Sequence, residues 1–152
     1  MKKIIVPILV LFAFACSSGP KTTEGGDAAA SKEVQKEPEE TKGIGKYDHV
    51  DLGDKLDTKM AADGKVLYDL KCLSCHKLTD EKLVGPGWKG VTSRRKPEWV
   101  MNFLTNIDQM LEKDPDAQAM LEVCLVRMPN QNLTDKDARN ALEFMRQNDG
   151  VK

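Results

Sequence analysis

The sequence is short of several things, and each shortage closes a class of function. It lacks net positive charge: 23 Lys and Arg stand against 24 Asp and Glu, leaving −1 at pH 7 and a pI near 6.1. The broad basic surface needed to neutralise many phosphates is therefore missing, and nucleic acid is not an expected partner. It lacks an apolar run of membrane-spanning length. Ile4 to Ala15 is a run of twelve residues broken by Pro7; as a helix it would reach only about 18 Å, against roughly 30 Å of hydrocarbon. Large apolar side chains are almost absent from Ser17 to Asp48, where Val34, Ile44 and Tyr47 are the exceptions. Such a stretch buries too little surface to offset its ordering entropy. No strand pattern competes with the helical signals that follow, and there is no internal repeat. Histidine occurs twice, which leaves no constellation for hydrolytic or phosphoryl chemistry.

What is present begins with an export signal over residues 1–15, with Met1, Lys2 and Lys3 ahead of the apolar run. Ala13-Phe14-Ala15-Cys16 resembles the lipobox of bacterial lipoproteins, with Ala13 in place of the usual leucine. The resemblance implies that Cys16 becomes the lipidated first residue of the mature chain; the alternative is ordinary cleavage with Cys16 incidental. Residues 16–50 then read as a flexible linker whose end-to-end distance is near 30 Å. The chain is expected at the periplasmic face of a bacterial membrane, held there by its lipid.

Residues 51–152 read as one small all-α domain. A first helix is expected over Lys59 to Lys71, with Val66, Leu67 and Leu70 as its apolar edge. Gly64 within it costs about 1 kcal/mol against Ala and so requires a packing reason. Pro97 opens a helix on which Trp99, Val100, Phe103, Leu104, Ile107 and Leu111 recur at helical spacing. Asp114 caps another, begun by Pro115, with Met120, Leu121 and Cys124 turned inward. Cys124 is expected to be a buried thiol. Thr134, with Asp137 as its capping-box partner, starts the last helix, and Gly150 stops it.

The chemistry lies at the end of the first helix. Cys72 and Cys75 are three residues apart and His76 follows at once, the spacing that lets two thiols hold a porphyrin through its vinyl groups while an imidazole meets the iron. A dithiol redox site would require a βαβ context, and a zinc site two further ligands at a standard spacing; these are the rivals. Around the motif the chain resembles the class I monohaem cytochrome c family, from about Lys59 to Asn148. The resemblance rests on Gly64 and Tyr68, eight and four residues before Cys72, on Phe144 in the last helix, and on the loop Gly85-Pro86-Gly87-Trp88-Lys89-Gly90. It implies a small cytochrome c fold of four to five helices around one covalently attached haem c. It also implies that the first and last helices cross at Gly64, that the Pro86 carbonyl accepts a hydrogen bond from His76, and that Trp88 packs on the haem in place of a leucine.

The second axial ligand is expected to be Met128. It lies in the irregular stretch Arg127-Met128-Pro129-Asn130-Gln131-Asn132, just ahead of the Leu133-Thr134 cap, where the family shows a Met-Pro ligand. An open site, Met120 and His49 are the alternatives, and His49 reads better as a solvated linker residue. Met101 and Met110 fit ordinary core roles. Arg95 and Trp99 are candidates for hydrogen bonds to the haem propionates, with a solvated arginine and a core tryptophan as the alternatives.

Charge is unevenly placed. From 71 to 100, Lys71, Lys77, Lys82, Lys89, Arg94, Arg95 and Lys96 face Asp80, Glu81 and Glu98, whereas from 101 to 125 Lys113 alone faces Asp108, Glu112, Asp114, Asp116 and Glu122. The positive end is expected to dock weakly and transiently on an acidic redox partner, with ordinary solvated helix surface as the alternative. The expected function is one-electron transfer between respiratory donor and acceptor proteins. A haem sensor or weak peroxidase with an open sixth site, or a fixed haem subunit of a larger oxidoreductase, are the other readings.

Overall fold

The computed structural model describes residues 41–152. The expected signal peptide over 1–15 and the lipidated Cys16 lie outside the described residues. Six helices occur among them: α1 Thr58–Lys71, α2 Val91–Arg94, α3 Pro97–Thr105, α4 Ile107–Lys113, α5 Pro115–Cys124 and α6 Asp135–Asn148. No strand accompanies them in this range; His76 and Lys82 form an isolated antiparallel bridge.

Caps set the helix starts. Asp57 accepts the Met60 N–H at 2.9 Å, Asp114 the Ala117 N–H at 2.9 Å, and Thr134 and Asp137 exchange bonds in a full capping box. The helix expected from Pro97 to Leu111 breaks at Asn106 into α3 and α4, which together with the short α2 brings the number of helices above the expected four to five. Asn106 leaves helical geometry at φ −142° and ψ 41°, and its side-chain amide donates to the Ile44 carbonyl at 3.0 Å. An asparagine that serves a neighbouring backbone competes with the helix ladder at that point.

α1 and α6 cross at their centres. The buried face of α1 is Ala61, Gly64 and Tyr68, and not the expected apolar edge: Val66 and Leu70 are 60% and 78% exposed, and only Leu67 packs on the core. Close approach overrides hydrophobicity here. A Cβ on Gly64 would collide with the Asn140 backbone carbonyl and come within 2.9 Å of the Phe144 Cβ. The opposing stripe of Ala138, Ala141, Leu142 and Met145 is buried as expected, with Phe144 beside it. α3 adds Trp99, Val100, Met101 and Leu104 to the same core, and α4 adds Ile107, Met110 and Leu111.

Residues 41–50, expected to belong to the linker, are instead strapped along α3 and α4. Asn102 donates to the carbonyls of Lys42 (2.9 Å) and Tyr47 (2.8 Å) and accepts the Tyr47 N–H at 3.0 Å. The Val50 N–H donates to Glu98 at 3.0 Å, and the Ile44 N–H to the Met110 sulfur at 2.9 Å. Gly43 lies in the left-handed region (φ +71°), and a Cβ there would sit 2.7 Å from the Met110 methyl carbon. Composition misjudged this stretch because its binding is through backbone groups, while Ile44, Tyr47 and Val50 supply only modest packing. His49 within it is exposed, as a solvated residue should be.

Replacing Gly64 by Ala should lower stability by about 2 kcal/mol, because the clash at the crossing outweighs the gain in helix propensity. Urea unfolding measures the loss; an unchanged midpoint would show that the crossing tolerates a methyl group.

Candidate functional site

α1 ends in one further turn. The Cys72 N–H still bonds to the Tyr68 carbonyl at 2.9 Å, and the Cys75 and His76 N–H groups both return to the Cys72 carbonyl at 3.0 and 2.9 Å. That turn gathers two thiols and an imidazole at one point. The chain then folds back, with the Gly85 N–H on the Cys75 carbonyl at 2.9 Å and the Trp88 N–H on the Lys77 carbonyl at 2.9 Å. Gly85 packs flat against the imidazole, where a Cβ would overlap the ring.

His76 is fixed from two directions. Its Nδ1–H donates to the Pro86 carbonyl at 2.8 Å, and since a carbonyl only accepts, Nε2 is left as the bare nitrogen. Burial holds the imidazole pKa below its ordinary value, with the Pro86 carbonyl opposing, which favours the neutral form that can ligate. The Tyr68 hydroxyl donates to the His76 carbonyl at 2.6 Å, a contact that spacing alone did not reveal. Trp88 is buried, 4.9 Å from the Tyr68 ring and 6.3 Å from Phe144 between centroids.

A cavity of about 500 Å³ opens beside this turn, a size typical of small-molecule and cofactor sites. Cys72, Cys75, His76, Pro86, Trp88, Arg95, Trp99 and Met128 all line it. Met128 is brought there by the stretch after α5, which Arg127 ties to Asp108 at 2.9 Å and Lys71 holds through the Gln131 carbonyl at 2.9 Å. Asn132 in the left-handed region, at φ 51°, turns the chain back toward α6.

Three placements differ from expectation. Trp99 reaches the cavity, but its indole N–H donates to Asp114 at 3.1 Å and is not free for a propionate. Arg95 is part-exposed, pairs through one guanidinium nitrogen with Asp116 at 2.6 Å and lies 4.8 Å over the Trp99 ring. Cys124 is only half buried and, with Met120, lines a smaller recess of about 90 Å³ that also touches His76 and Met128. Asp114 and Asp116 were readable as a cap and a surface charge; their indole and guanidinium partners lie too far away in sequence to be read locally. Met110 and Met101 are in the core, as their spacing indicated.

The donor set fits a haem. An imidazole nitrogen, two thiols and a thioether surround a largely apolar space, which suits porphyrin iron and its two vinyl groups. The rivals fit less well. Among the described residues no group of three or more His, Cys, Asp or Glu is placed to hold a bare metal ion. Burial also pushes the Cys72 thiol up to about 11, whereas dithiol chemistry uses a thiol of depressed pKa.

Comparison with known proteins agrees with this geometry. Residues 61–149 match the family model described as Cytochrome c. Among solved structures, a cytochrome c from Rhodothermus marinus is 32% identical, with a TM-score of 0.66 over 69% of this chain and 90% of that one. An engineered cytochrome c from the same organism, described as bound to a carbene intermediate, is 31% identical, with a TM-score of 0.63 and the same coverage. No curated protein sequence matches significantly.

Proposed function

The chain belongs to the cytochrome c family, and on that footing we propose that it is a lipid-tethered carrier of single electrons between respiratory proteins outside the cytoplasm. The family binds covalently attached haem c and transfers electrons. When bound, the haem supplies an iron centre that gains and loses one electron.

In this reading Cys72 and Cys75 would form the thioether links and His76 would ligate through Nε2. The Pro86 carbonyl holds the imidazole in orientation and strengthens Nε2 as a donor. Trp88 lines the cavity and is backed by Tyr68 and Phe144. Met128 would supply a thioether to the iron from the cavity wall, and thioether sulfur favours the reduced iron relative to a second histidine. The observation that carries the reading is that all four of these ligating and linking residues line one cavity. A second reading, an iron open to outside ligands, is favoured by the carbene described in the engineered relative. One experiment separates them. The ferric protein should show the weak red charge-transfer band of methionine-ligated haem, and the reduced protein should resist carbon monoxide. Met128→Ala should lose the band and bind the gas rapidly; a wild-type protein that already behaves so is not a simple carrier.

The tether rests on Ala13 to Cys16. Cys16→Ser should move the protein from the membrane fraction to the soluble fraction, and continued membrane retention would remove the lipid from the account. Docking is proposed at the edge where Leu83, Val84, Val123, Leu125 and Val126 are exposed beside Lys77 and Lys82. A partner with an acidic rim fits such a surface. Electron transfer to it should slow as salt is raised, since screening shortens the reach of exposed charge; a rate independent of ionic strength would exclude this electrostatic docking.

A further inference from the structure

Asp114 sits between α4 and α5 and is 2% exposed. Its carboxylate does more than cap α5. One oxygen accepts both the Trp99 indole N–H at 3.1 Å and the Ala117 N–H at 2.9 Å, and the other accepts the Thr41 hydroxyl at 3.3 Å. All three donors are neutral, and among the described residues no Lys or Arg pairs with it. The indole it holds is a wall of the large cavity, with the Arg95 guanidinium stacked over its ring and fixed in turn by Asp116. A buried negative charge is thus separated from the cavity by one aromatic ring.

We propose that Asp114 is a positioning residue for the haem: it fixes Trp99 and Arg95 at the cavity wall, and its buried charge lowers the reduction potential. The inference rests on the haem reading above. Oxidised iron carries one more positive charge than reduced iron, so a nearby anion stabilises the oxidised form. In a poorly solvated interior that influence is weakly screened. The dry pocket and the methionine ligand both favour reduction; Asp114 acts against them. Donors to the carboxylate draw off part of its charge, so removing one strengthens its effect.

Two variants test this in the haem-loaded protein by potentiometric titration followed by visible absorption. Asp114→Asn keeps a side chain that caps as well as Asp and removes the charge. It should shift the reduction equilibrium three- to tenfold toward the reduced form, raising the potential by about 30 to 60 mV at 59 mV per tenfold. Thr41→Val removes one donor and no charge, and should move the potential a smaller amount the other way. Simple loosening of the pocket would admit water and lower the potential in both variants, so opposite signs identify the electrostatic role. An unchanged or lowered potential in Asp114→Asn overturns the proposal. If that variant does not take up haem, an unchanged or raised potential in Thr41→Val overturns it alone. Absence of any haem couple in the wild-type protein would instead be a failure of the haem reading.

Discussion

The contact on which the rest depends is the approach of α1 to α6 at Gly64, where a backbone carbonyl occupies the space a side chain would need. That crossing brings the Tyr68 and Phe144 rings to 5.5 Å and leaves the Tyr68 hydroxyl within reach of the His76 carbonyl. Trp88 then fills the corner between them. Imidazole orientation is therefore set partly from outside the motif that contains it. Around the cavity α1 and α6 supply the frame, the loop after His76 supplies Gly85, Trp88 and the Pro86 acceptor, and the stretch after α5 brings in Met128.

Much of this was legible in the sequence because it is local. The attachment motif, the caps at Asp114 and Thr134 and the Met-Pro pair at Met128 are each set by neighbours a few positions away. What escaped reading was long-range. Val66 and Leu70 are apolar yet exposed, because the helix face able to come closest to α6 is the one with small residues. Asn106 breaks a periodic pattern for the sake of a carbonyl 62 residues earlier. The strap looked like linker because hydrophobic content measures side-chain burial, and its attachment runs through main-chain groups. Trp99, a candidate for the haem propionates or the core, is buried at the cavity wall, and its donor is directed to Asp114.

The fold treats its buried charges in two ways. Glu143, 1% exposed, is compensated by Arg139 at 2.6 Å and Arg146 at 2.8 Å, and Arg146 also reaches the Gly53 carbonyl at 2.7 Å. Such a triad contributes specificity of packing more than net stability, here joining the chain ahead of α1 to the last helix. Asp114 receives hydrogen bonds without a counter-ion among the described residues, which leaves its field free to act on its surroundings.

The strap also decides how the molecule bears a load. A chain anchored at its beginning transmits any pull to the first point at which it grips the folded body. Composition would put that point near residue 51, but among the described residues Thr41 already bonds to Asp114. Further bonds follow within a few residues, from Asn102 to the Lys42 and Tyr47 carbonyls and from Asn106 to the Ile44 carbonyl. The cavity whose wall includes Trp99 stands directly behind those bonds, so a pull on the strap would be felt at the cavity wall.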